Sequence, residues 1–107
     1  MLYEISKESF KQRLEDRLNF KIVDVTDYSK SSNEKFKDVL TIPFTNNFVS
    51  EVKAKGIGPM SNLIIFSLDK HSKDAKKAAD SLKAEGFQFI YYYIGAVEDL
   101  ILEKGLN

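Results

Sequence analysis

The stretch Leu63-Ile64-Ile65-Phe66-Ser67-Leu68-Asp69-Lys70-His71-Ser72-Lys73-Asp74-Ala75 constrains this chain more than any other. Leu63 to Phe66 is an unbroken apolar run between a Pro59-Met60-Ser61-Asn62 turn and a polar loop, the pattern of a fully buried parallel strand. The loop then opens a helix that runs to about Glu85, where Gly86 stops it. A strand that feeds a helix N-terminus through a loop sets backbone N–H donors at the carboxyl edge of a sheet. That edge is where α/β proteins bind and react with anions. Any function legible in the chain is expected at this loop.

Elements of the same two kinds alternate along the rest of the sequence. Leu2 to Ile5 reads as a short edge strand, and Ser6 caps a helix reaching about Arg17, with Phe10, Leu14 and Leu18 recurring every four residues. Lys21-Ile22-Val23-Asp24-Val25 is a buried strand ending in acid. A polar loop follows from Thr26 to Asn33, with one helical turn at Glu34 to Lys37. Val39 to Ile42 is another short strand, closed by Pro43, which has no N–H for a ladder. Asn46 or Asn47 caps a helix with Phe48 and Val52 on its buried side, and Gly56-Ile57-Gly58-Pro59 ends it. The helix after the central strand buries Ala75, Ala78, Ala79 and Leu82 and turns Lys73, Lys76, Lys77 and Lys83 to water. Phe89 to Ile94 is the last strand, Gly95 breaks it, and Val97, Leu100 and Ile101 mark a short terminal helix. Strands alternating with helices predict an α/β domain with a right-handed parallel sheet covered on both faces.

Composition narrows the function classes. At 107 residues the chain is long enough for one domain with its own core, and no linker or repeat divides it. Sixteen basic residues balance sixteen acidic ones, so no net field draws the chain to nucleic acid or to an anionic membrane. The absence of cysteine excludes disulfides, thiolate chemistry and Cys-ligated metals. The lone His71 and the scattered carboxylates show no metal-ligand spacing, and no cofactor motif appears. No apolar run approaches the roughly 20 residues of a membrane span, and the N-terminus shows no export pattern. The expectation is a cytoplasmic protein without cofactor or metal; the sequence leaves its oligomeric state open.

Four features together resemble the rhodanese-like domain family. They are Ile5-Ser6-Lys7-Glu8 opening a first helix, the acid-tipped strand Ile22-Val23-Asp24-Val25, the central strand–loop–helix closed by Glu85-Gly86-Phe87, and Ile94-Gly95-Ala96 before a final helix. Their order and spacing match over nearly the whole chain. The resemblance implies a five-stranded parallel sheet flanked by helices and, in active members, sulfur transfer through a cysteine persulfide cradled by the amides of this loop. Active members resemble Cys-x-x-Gly-x-Arg-Ser there. Counting back from Gly86 without a gap puts Asp69 at the cysteine position, Ser72 at the glycine, Asp74 at the arginine and Ala75 at the serine. Counting forward from the strand puts Ser67 at the cysteine position, with two extra loop residues. The helix register is the longer match and favours Asp69. The family's arginine after the acid-tipped strand is Thr26 here, its glycine pair is Gly95-Ala96, and its usual tryptophan is Leu100.

The scaffold motifs are kept and the catalytic ones are not. A persulfide needs a polarizable thiolate whose pKa neighbouring N–H groups lower, and neither Asp69 nor Ser67 supplies one. Asp69 reads either as a mimic of the bound anion or, more plainly, as a carboxylate that the helix dipole favours. Lys70 and Lys73 with Lys76 and Lys77 form either a basic lip around an anion or a solvated face, the latter being the simpler account. His71 beside Ser67 or Ser72 would be a base for a hydrolase or transferase, but no third orienting group is evident. Asp24 and Asp27 with Asp69 resemble the acid cluster of a response-regulator receiver domain, yet Ile94-Gly95 lacks that family's closing lysine. Tyr91, Tyr92 and Tyr93, like Phe44 and Phe48, are read as core rather than as ligand or docking groups. The expected function is thus an inactive rhodanese-like module that binds a protein partner or a small anion through residues 69–75, with no catalytic residues, no nucleic acid and no membrane. The Ser67/Ser72–His71 hydrolase is the alternative.

Overall fold

The apolar strands and half-polar helices assemble as the alternation predicts. The computed structural model describes residues 2–15, 19–26, 39–67 and 73–95. In chain order these form β1 (Leu2–Glu4), α1 (Lys7–Glu15), β2 (Lys21–Asp24), β3 (Leu40–Thr41), α2 (Phe48–Ala54), β4 (Asn62–Phe66), α3 (Asp74–Ala84) and β5 (Phe89–Tyr93). The five strands make one sheet in the order β1-β5-β4-β2-β3, with every neighbouring pair parallel. Central placement of β4 explains its composition: Leu63, Ile64, Ile65 and Phe66 are all fully buried, two on each face.

The sheet separates two cores. On one face Val23, Val25, Leu63, Ile65, Ile90 and Tyr92 pack against Phe48 and Val52 of α2 and Ala75, Ala78, Ala79 and Leu82 of α3. Alanines along α3 let its backbone lie close to the strands, so the contact is tight rather than bulky. On the other face Ile22, Ile64, Phe66 and Tyr93 meet Phe10 and Leu14 of α1. The Phe10 ring stacks on Tyr93 with centroids 4.7 Å apart and tilts over Phe66 at 5.7 Å. Arg13 of α1 lies over Tyr91, its guanidinium carbon 4.5 Å from the ring centroid, and donates to the Ser9 carbonyl and hydroxyl.

Element ends show where local chemistry and tertiary pairing differ. Ser6 caps α1 as its side chain predicts, accepting from Ser9 N–H at 3.1 Å. Asn47 stands at the N-cap of α2, but its side chain makes no capping bond. Thr45 holds that turn instead, its hydroxyl accepting from Asn47 N–H at 3.1 Å and its carbonyl from Phe48 N–H at 3.1 Å. The expected strand ends at Ile5 and Ile42 lie just outside β1 and β3, yet both residues continue the ladder. Ile5 N–H donates to Tyr92 C=O at 2.9 Å and Ile42 N–H to Asp24 C=O at 3.0 Å. Gly86 ends α3 as expected, at φ +93°, with Gly86 N–H donating to the Lys83 carbonyl and Phe87 N–H to that of Leu82. The helical turn at Glu34 to Lys37, Leu18 and the terminal helix with Val97, Leu100 and Ile101 lie outside the described residues.

Candidate functional site at the carboxyl edge

β2 and β4 are neighbours, but their exits diverge. The chain leaves β2 for β3 on one side and leaves β4, through α3, for β5 on the other. In an open parallel sheet this divergence opens a crevice at the carboxyl ends of the two strands, the usual place for a ligand. The buried polar residues among those described stand here and nowhere else: Asp24 at 0 % exposure, Thr26 at 7 % and Ser67 at 6 %.

Their bonding follows from the sequence Asp24-Val25-Thr26. The Asp24 carboxylate turns back on its own chain, and Oδ1 accepts from Thr26 N–H at 2.9 Å and from Thr26 Oγ1–H at 2.5 Å. Asp24 C=O and Val25 N–H meanwhile extend the ladders to β3 and β4, with Val25 N–H donating to Phe66 C=O at 2.9 Å. The acid at the tip of β2 is therefore a staple that fixes the strand's exit. A threonine two residues after an aspartate is the readable signal for this turn, although by position Thr26 opens a polar loop and stands where the resemblance puts an arginine.

Of the residues singled out in the loop, the structure places Ser67, Lys73, Asp74 and Ala75. Ser67 is the first residue beyond β4 and is buried. Lys73 is exposed at the N-cap of α3 and makes no side-chain cap bond. Asp74 occupies the first turn, where the dipole favours a carboxylate, so an anion arriving at this helix end meets a negative charge. Ala75, in the first turn of α3, is buried in the core. Asp69, Lys70, His71 and Ser72 lie outside the described residues, as does Asp27. Both counting registers have a structural anchor, since β4 ends at Phe66 and α3 is closed by Gly86. Seven residues, 67–73, join the two elements.

The aromatic candidates fall in the core as expected. Phe48, Tyr92 and Tyr93 are buried, while Phe44 and Tyr91 are half-buried and packed against the clusters. Burial raises the Tyr93 phenol above its ordinary pKa. On α3, Lys76 is exposed and bonded to Asp80 at 2.9 Å, and the hydrogen bond and charge of that carboxylate raise its pKa. Lys73, Lys77 and Lys83 face water with it. Among the described residues, no group of acidic and histidine side chains could hold a metal ion, and no helix is long and apolar enough to cross a membrane.

Comparison with known proteins adds the architecture's name. No family model matches the chain, and no curated protein matches it. Solved structures do. The polysulfide-sulfur transferase homodimer of Wolinella succinogenes superposes with a TM-score of 0.69 at 19% identity, over 98% of this chain and 76% of that one. An uncharacterized protein from Saccharomyces cerevisiae gives 0.68 at 19% identity, covering 96% and 93%. The rhodanese-like domain of the Alr3790 protein from Anabaena sp. gives 0.62 at 18% identity, covering 94% and 95%. Identities this low carry the architecture and not the chemistry. This chain, which has no cysteine, folds as a rhodanese-like domain.

Proposed function

We propose that this chain is a catalytically inactive rhodanese-like domain that acts by binding, with a protein partner or a small anion engaged by the loop 69–75 at the carboxyl edge. One observation supports the reading above others. The exits of β2 and β4 diverge at the switch point and the β2 exit is stapled by Asp24 and Thr26, while the chain offers no sulfur nucleophile to use there. Sulfur transfer, the activity named for the Wolinella structure, requires a thiolate or another carrier of the sulfane atom. A serine hydroxyl is not a substitute, because it ionises far above neutral pH without an adjacent base.

The test is a pair of measurements on the full chain. Sulfate, thiosulfate and phosphate are titrated by NMR, and a panel of esters and phosphate esters is assayed in parallel. The binding reading predicts saturable shifts at residues 67–75 that weaken in Lys70→Gln, with no turnover. Turnover that disappears in His71→Ala would overturn it in favour of the Ser67/Ser72–His71 hydrolase. If every anion is silent, the small-anion form is lost, and a protein partner remains to be captured in a Lys70-dependent way.

A further inference from the structure

The exit of β5 carries a contact that packing alone does not require. Tyr93 is the last residue of β5 and pairs in register with Phe66, so the next residues, Ile94 and Ser67, leave the sheet side by side. The Tyr93 ring is seated on Phe10 and is 6 % exposed. It leans along the strand far enough that a β-carbon on Gly95 would lie 2.6 Å from its hydroxyl oxygen and 2.9 Å from Cζ. Gly95 itself has φ +151°, which side-chain-bearing residues rarely adopt. The tyrosine thus fills the space of a side chain at Gly95, and one ring ties α1, the end of β5 and the turn after it together.

We propose that Tyr93 is a positioning residue for the carboxyl-edge site, holding the exit of β5 through Gly95 and thereby setting the conformation of the neighbouring exit of β4 at Ser67. The proposal rests on the reading of that edge as the functional site. Tyr93 touches no ligand in this account; it acts by fixing where the backbone leaves the sheet. Tyr93 belongs to the cluster around Phe10 and also abuts Gly95, so it links α1 on one face to the exit of β5, the strand beside β4.

Because the chain lacks cysteine, Ser67→Cys gives it a sole thiol at the place in question. Its alkylation rate with iodoacetamide is compared with that of Ser50→Cys on the exposed side of α2. Tyr93→Phe and Gly95→Ala are then added to each. The expected result is a several-fold change in the Ser67→Cys rate and none in the Ser50→Cys rate. Ile57→Val, a core change under the other face, should leave both rates unaltered at a similar loss of stability. A Ser67→Cys rate that Tyr93→Phe leaves untouched overturns the positioning role while the site reading stands. A Ser67→Cys thiol that behaves like the Ser50→Cys one overturns the site reading and the positioning role with it. Should Gly95→Ala fail to fold, Tyr93→Phe decides, since it removes only the hydroxyl.

Discussion

Replacing Thr26 with valine removes a hydroxyl and little else, because the two side chains have nearly the same shape. In the native fold that hydroxyl donates to Asp24 Oδ1, on a carboxylate with no exposure to water. The Thr26 N–H bond to the same oxygen survives the change, so the carboxylate is weakened rather than orphaned. Losing one donor to a buried charged acceptor costs about 1–3 kcal/mol. For a domain of this size, that loss lowers Tm by roughly 4–15 °C. Thr26→Ser keeps the hydroxyl and gives up one methyl, about 0.8 kcal/mol. Urea unfolding followed by far-UV circular dichroism measures both variants against the parent chain, and unchanged m-values show that the same transition is compared. The reasoning requires Thr26→Val to be the less stable of the two. If serine is the more damaging, position 26 serves packing and the Asp24–Thr26 staple does not hold the exit of β2.

Other perturbations separate backbone, core and charge. Gly86→Ala puts a side chain at φ +93° with nothing within 4 Å of its β-carbon, so the expected loss is backbone strain alone, roughly 1–2 kcal/mol, read by thermal unfolding. Phe66→Ala empties a fully buried site between α1 and the sheet and should cost about 3–5 kcal/mol in denaturant unfolding. Ala78→Leu drives a large side chain between α3 and β4–β5 and is expected to lose about 1–3 kcal/mol by the same measurement. Tyr93 titrates above its ordinary value of 10.0 because burial penalises the phenolate. As pH rises past that value the unfolded chain ionises first. The Tyr93 contribution is therefore whole below pH 10.0 and is lost as pH climbs through the folded-state pKa. Alkaline unfolding of Tyr93→Phe should begin at higher pH than that of the parent chain.

How much of this the sequence discloses depends on the range of the forces involved. The continuous run Leu63 to Phe66 and the alanine stripe of α3 each report their own burial, so strand and helix are readable one residue at a time. Sheet order is not written in any one element. It follows from the handedness of crossovers and from which faces are apolar, and the resemblance at Asp24 and Gly86 supplies what periodicity cannot. The turn that Thr45 holds ahead of α2 is lost to sequence reasoning because Thr45 and Asn47 are both residues whose side chains bond nearby backbone amides, and the sequence does not choose between them. Arg13 over Tyr91 joins residues far apart in sequence and leaves no local trace. At the site, Asp24 was legible as a strand tip, while its bond to Thr26 was readable only by treating the threonine as a partner. The register of the loop stays divided between Ser67 and Asp69, because strand end and helix end each fix one count and the two differ by two residues.

On the function proposed above, the rhodanese architecture stands here without sulfur chemistry. Thiocyanate production from thiosulfate and cyanide, measured with mass spectrometry of the recovered chain, tests it most directly. The account predicts no thiocyanate above the uncatalysed rate and no sulfur-bearing form of the protein. Protein-dependent thiocyanate that rises with the concentration of the pure chain would contradict it.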